Sequence, residues 1–224
     1  MNWDEHNLVR NDDILHVAAW QEFDWLKQGF SLRSAGNVGS RFGDITEAKN
    51  TITQTLGVSS EQWTGMQQVH GNRIQVVDSG SDFAETDGMI TNKKGILLAV
   101  VVADCVPLLL VDPVKRVIGV AHAGRRGTEQ SICKAIVNQM VHYGSKVEDL
   151  QVAIGPSIGP CCYEINPETH EHYNLWETNE QQMREIGVET IIRTNICTKD
   201  HNDLFFSHRA DEQPGRFAGL MGIS

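Results

Sequence analysis

The chain has 224 residues, enough for a sizeable core, and its 19 Lys and Arg against 29 Asp and Glu leave a net charge of -10. That balance is the opposite of the basic footprint a phosphate-backbone binder needs, so nucleic acid is not expected as a partner. The charged start, MNWDEHNLVRNDD, lacks the basic and apolar regions of a secretory signal, and the most apolar run is broken by Asp104, Cys105 and Pro107 well short of the about 18 residues of a membrane helix.

A soluble cytoplasmic protein without a membrane partner is therefore expected, and its five cysteines, an odd number, are expected as reduced thiols. No Pro/Ser-rich or highly charged linker divides the sequence, so residues 1–224 read as one domain.

In chain order, the first clear element is a helix over Thr46 to Leu56, ended by Gly57. Short apolar or β-branched runs follow: RIQVVD, GILLAVVVA, VPLLLVD, VIGVAHAG, LQVAIG and TIIRT. Several are apolar on consecutive positions, as in strands buried on both faces. Between them, TEQSICKAIVNQMVHYG predicts a helix from Thr128 to Gly144, with Ile132, Ala135, Ile136 and Met140 on one stripe. A last helix is predicted from Asn166, as N-cap before Pro167, to Gly187, which places His170, His172, Glu168 and Glu171 on an exposed helix, with the two histidines on different faces at i,i+2. The fold class is α/β (α+β), mixed sheets covered by helices.

Three residues share one position in this scheme. His70 after MQQV, Cys105 after LLAVVVAD and His122 after VIGVA each close an apolar run as the chain turns. If those ends are neighbours, two imidazoles and a thiolate meet at a sheet rim and suit zinc, with a fourth position left for water or substrate. The spacings of 35 and 17 residues are no zinc-finger pattern, so a buried thiol and ordinary loop histidines fit the pattern too. A Cys/His nucleophile pair is a second reading of the same atoms. Asp104 either orients a histidine, accepts a proton or hydrogen-bonds a turn, and Pro107 suggests a bend there. Arg125 and Arg126 open the helix after His122, where an anion such as phosphate would be favoured, although a solvated surface pair fits as well. AIGPSIGPCCYEI reads as a rigid loop; Cys161 and Cys162 are expected as free packing thiols, and Cys133 and Cys197 as core residues.

QVHGNRI, TDGMIT, ADCVPLLLVDP, VIGVAHAGRRGT, AIGPSIGPCCYEI and DLFFSHR followed by PGRFAGL occur in the order of the laccase-domain, or multicopper polyphenol oxidase-like, family. The resemblance runs from about Gly29 to the C-terminus. Members of that family are described as purine nucleoside phosphorylases with adenosine deaminase activity, and a bacterial branch as peptidoglycan editing factor. The resemblance implies a single layered αββα-type domain, similar to a class of cysteine hydrolases. It implies zinc on His70, Cys105 and His122, and a purine nucleoside with phosphate as partners. In deamination, water activated at zinc would attack C6 of adenine, with Asp104 moving protons; in phosphorolysis, arginines would hold phosphate. Arg33, Arg125, Arg126 and Arg209 are the candidate substrate or phosphate contacts, with Arg216 as a further pocket residue.

Two departures stand out: Arg125 replaces the family's usual tryptophan, and the N-terminal block FSLRSAGNVGSRFGD is shortened. The competing readings are an amidase with Cys105 as nucleophile, a copper-dependent polyphenol oxidase, and a metal-stabilised binding module. Either a monomer or a homodimer fits.

Overall fold

A computed structural model of the chain describes residues 1–80, 83–211 and 215–224. Two antiparallel strands, β1 (Leu8–Asn11) and β2 (Ile14–Val17), open the chain, followed by β3 (Leu26–Ser31) and the helix α1 (Thr46–Leu56). The left-handed Gly57 closes α1, donating its N–H to the Gln54 and Thr53 carbonyls, as its place in the sequence predicts. Next come β4 (Trp63–Thr64), β5 (Ile74–Val76), β6 (Gly88–Thr91), β7 (Leu97–Val102), β8 (Val106–Asp112) and β9 (Val117–Ala123). The C-terminal part comprises α2 (Arg125–Glu129), α3 (Ile132–His142), β10 (Gln151–Ile154), β11 (Glu164–Asn166), β12 (Glu171–His172), α4 (Leu175–Glu185), β13 (Thr190–Arg193) and β14 (Phe217–Ile223).

The strands form two six-stranded mixed sheets. One has the order β1-β2-β3-β14-β7-β4 and the other β13-β10-β8-β9-β6-β5; β11 and β12 make a separate hairpin. Side-chain alternation divides the core into three apolar layers. Leu98, Val100 and Val102 of β7 meet Leu109 and Val111 of β8 and Val120 of β9 between the sheets. Leu97 and Ala99 point the other way, onto Ala48, Ile52 and Leu56 of α1. Leu108 and Leu110 of β8 pack with Ile132, Ile136 and Met140 of α3. The consecutive apolar runs are thus strands covered on both faces, each fully buried Leu or Val contributing about 1.5–3 kcal/mol.

β7 lies in the first sheet and β8 in the second, so the chain changes sheets at Ala103, Asp104 and Cys105. The bend is at Asp104, where the sequence suggests one, with a left-handed φ of 85°; Pro107 itself lies within β8 opposite His122. An acid suits that corner. Its carboxylate accepts the Thr198 hydroxyl and the Arg209 N–H, each at 2.7 Å, and its carbonyl accepts the Ile158 N–H at 2.9 Å.

Two predicted helices differ from the structure. The one starting near Thr128 is two helices, α2 and α3, broken at Ser131, whose φ is 61°. The one starting at Asn166 begins at Leu175 instead. Asn174 is the N-cap, accepting the Glu177 N–H while its amide donates back to the Glu177 carboxylate. Asn166 spends its side chain on the N–H of Glu168, an Asx turn that leads into β12. His170 and His172 therefore sit on an exposed hairpin, not on a helix. Pro214 of the PGRFAGL motif lies outside the described residues. Among the described residues, no helix is long and apolar enough to cross a membrane.

Candidate metal centre and cavity

The donor atoms of His70, Cys105 and His122 lie within 4.8 Å of one another. Cys105 reaches the site from the corner between the two sheets, and His122 from the penultimate position of β9. His70 comes from the loop before β5 rather than from a strand end, with a left-handed φ of 62°. Its ring meets that of His122 edge-on at 4.6 Å between centroids.

Asp87, just before β6, organises this arrangement. Its fully buried carboxylate accepts the backbone N–H groups of Val69, His70 and Gly71 at 3.2, 2.9 and 2.8 Å, which moulds the QVHG loop around it. It also accepts Nδ1–H of His122 at 2.9 Å. A carboxylate can only accept there, so Nδ1 carries the proton and Nε2 is left for the cluster, the outer-shell arrangement common to metal-binding histidines. Asp87 belongs to TDGMIT, and sequence alone does not single it out. Its signal was an acid beside a glycine that space requires: a Cβ on Gly88 would lie 2.5 Å from Ile74 Cδ1 and 3.2 Å from the Val120 carbonyl.

The trio carries its own electrostatics. Burial alone would raise the Cys105 thiol, yet the His122 charge and hydrogen bonds from both imidazoles pull it down to about 6. Burial would lower His122, but the Cys105 thiolate and Asp87 hold it up at about 9. Asp87 stays below the usual carboxylate range despite its burial, because His122 and the loop N–H groups stabilise its charge. Two imidazoles and a thiolate are a zinc-type donor set, so the residues present fit such an ion. Gly124 makes the approach feasible, since a Cβ there would lie 2.8 Å from Cys105 Sγ and 3.0 Å from His70 Cδ2.

The trio borders a cavity of about 540 Å3. Its walls include Phe42, Trp63, Gln68 and His208, with Arg41 and Arg216 as the cations among the lining residues. Gln68 is held by a reciprocal pair of hydrogen bonds to Val101, at 2.8 and 2.9 Å. The Arg216 guanidinium lies 4.6 Å over Phe42, while Asn37 accepts its backbone N–H. Arg41 comes from the shortened N-terminal block, and basicity next to aromatics was its signal.

Arg216, read from PGRFAGL as a pocket residue, lines the cavity, but the other arginines read from the sequence lie elsewhere. Arg33 pairs with Asp211 at 2.9 Å, donates to the Asn202 carbonyl and covers Phe206, so it braces two loops. Arg125 is half-exposed beside Glu129, and Arg126 is exposed. Arg209 is exposed with its guanidinium 5.2 Å over Tyr163, which Arg125 also flanks. None of these four lines the cavity, and neither does Asp104. The helix whose N-terminus was to favour an anion, α2, has only five residues, so its dipole is small.

Against known families, the model for multi-copper polyphenol oxidoreductase laccase matches residues 27–174 and 167–224. The chain belongs to this laccase family. It is 31% identical to a protein named purine nucleoside phosphorylase YlmD from Bacillus subtilis, over 86% of this chain and 82% of the relative. A Geobacillus stearothermophilus protein of the same name is 34% identical over 86% and 83%. The crystal structure of YlmD from Geobacillus stearothermophilus superposes with a TM-score of 0.87 at 28% identity, covering 96% of this chain and 98% of that one. The mixed two-sheet architecture is thus the YlmD fold, and the laccase-family membership expected from the motifs is established.

Proposed function

We propose that this laccase-family chain is a zinc-dependent purine nucleoside phosphorylase that also deaminates adenosine. The observation that carries the reading is the His70, Cys105 and His122 trio at the edge of a cavity with both aromatic and cationic walls. The relatives' printed names supply the substrate class. One thiolate and two imidazoles satisfy zinc, whereas multicopper chemistry calls for more clustered histidines. When bound, the ion supplies Lewis acidity.

The remaining work falls to the chain. Arg41 and Arg216 face the cavity and would hold phosphate, whose oxygen forms the bond to ribose C1' as the bond from C1' to the purine breaks. Trp63 and Phe42 offer the purine flat apolar surface. Asp87 keeps His122 in one tautomer and orientation. Asp104 acts as a positioning residue and not as a proton carrier, since Thr198 and Arg209 occupy its two oxygens. A reducing cytoplasm suits the five free cysteines, and one domain over 1–224 suits an inter-sheet core that draws on Leu8 and Ile223 alike.

The test is chromatography of adenosine incubated with zinc-loaded protein, with and without phosphate. Phosphate-dependent adenine with ribose 1-phosphate, plus phosphate-independent inosine, is expected. Unchanged adenosine would refute the reading. A cysteine hydrolase is the second reading, favoured by the Cys105, His122 and Asp87 alignment with a thiol near 6. It predicts chelator-resistant turnover and covalent trapping of Cys105 by a substrate-like electrophile.

A further inference from the structure

A second group of donors stands apart from the cavity residues. Cys161, Cys162, Cys197 and Asp200 offer Sγ and carboxylate oxygens that all lie within 4.8 Å of one another. They come from separate segments: the two adjacent cysteines end the GPSIGPCC loop, and Cys197 and Asp200 belong to the CTKD turn after β13. The observed spacings are 3.5 Å between Cys161 and Cys162 Sγ, 3.4 Å from Cys161 Sγ to Asp200 Oδ2 and 3.1 Å from Cys162 Sγ to Asp200 Oδ1. An ion with metal–sulfur bonds of about 2.3 Å in tetrahedral geometry sets neighbouring donors at about 3.5–3.8 Å, close to these values.

Local backbone chemistry supports the same arrangement. The Gly159 N–H donates to Cys197 Sγ at 3.3 Å, a contact that stabilises charge on that sulfur. Gly159 also leaves the room, because a Cβ there would lie 3.1 Å from Cys161 Sγ and 3.2 Å from Cys197 Cβ. The His201 N–H bonds back to the Cys197 carbonyl at 3.1 Å, folding the turn so that Asp200 returns over the thiols. In sequence, Cys197 and Asp200 form a C-x-x-D half-site of the kind that C-x-x-C makes in zinc ribbons.

We propose that Cys161, Cys162, Cys197 and Asp200 form a second, structural binding site for a soft divalent cation of the zinc class. All four positions of a tetrahedron are filled by protein, so no place is left for substrate, unlike the three-donor site at the cavity. Each thiol releases its proton to solvent as its sulfur binds. The ion would clamp the GPSIGPCC loop to the CTKD turn. Asp104 ties both segments to the Cys105 corner, through the Ile158 N–H and the Thr198 hydroxyl. Clamping them would steady the Cys105 corner from outside the cavity.

The test is metal stoichiometry by inductively coupled plasma mass spectrometry on reduced protein loaded with Zn2+ and desalted. Wild type is expected to hold two equivalents, and Cys105→Ala one. Cys161→Ala and Asp200→Asn alter exposed side chains, so the fold should survive; each should hold one equivalent and lose several degrees of Tm relative to zinc-loaded wild type. Cobalt(II) loading of Cys105→Ala should still give the intense sulfur-to-cobalt absorption of a site rich in thiolates. A single equivalent in wild type that Cys161→Ala and Asp200→Asn leave unchanged would overturn the proposal. So would a disulfide between two of these cysteines in protein prepared under reducing conditions.

Discussion

Cys105 and His122 hold each other's charge, and that mutual hold sets the pH window of the site. A thiol drawn down to about 6 is thiolate above that pH and loses its charge as pH falls through it. The His122 imidazolium, raised to about 9, keeps its share of the attraction below that value and loses it as pH rises through 9. Metal-stripped protein should therefore show a Cys105 alkylation rate by iodoacetamide that climbs through about pH 6 and then levels. A rise centred near the ordinary thiol value of about 8.5 would contradict the pairing. Asp87 is the second test at this scale. Asp87→Asn removes the charge that fixes His122 and turns one of the two oxygens that accept the loop N–H groups and His122 into an NH2 donor. Zinc affinity measured against a chromophoric chelator should fall about 10–100-fold.

At the scale of elements, the site depends on where strands end and how closely their connections approach. Gly124 joins β9 to α2 with φ −74° and ψ 170°, a conformation alanine adopts freely, so Gly124→Ala probes space alone. Its methyl group would press on Cys105 and His70, costing about 1–3 kcal/mol, or roughly 5–150-fold in zinc affinity by the same chelator competition, with the circular dichroism spectrum unchanged. An alanine variant that binds zinc normally would show that the trio is looser than drawn. The strands around the site were legible because runs such as LLAVVV and VPLLLV carry their own burial pattern. Two helix starts were not, for local reasons: Ser131 turns left-handed inside an otherwise helical pattern, and Asn166 has an Asx turn available that competes with capping. Of the strands that were missed, β14 has a long-range register with β3, joining Leu26 to Ile223 across nearly the whole chain, whereas β1 and β2 form a local hairpin of only four residues each.

Taken as a whole, the molecule brings three distant segments together by running one continuous apolar stretch through both sheets. The acid and thiol that interrupt that stretch mark the crossing, where Asp104 braces the corner and Cys105 supplies a donor. The motifs identified the trio and the family. They suggested Arg216 as a pocket residue but left out Arg41, since the two are 175 positions apart and meet only through the packing of the N-terminal block against the start of β14. The most direct measurement is adenosine phosphorolysis by wild type and Cys105→Ala, with the metal content of both preparations quantified. The account predicts that the variant keeps its fold, loses one equivalent of zinc and loses activity beyond the about 100-fold typical of outer-shell changes. A variant with unchanged zinc and unchanged turnover would contradict it.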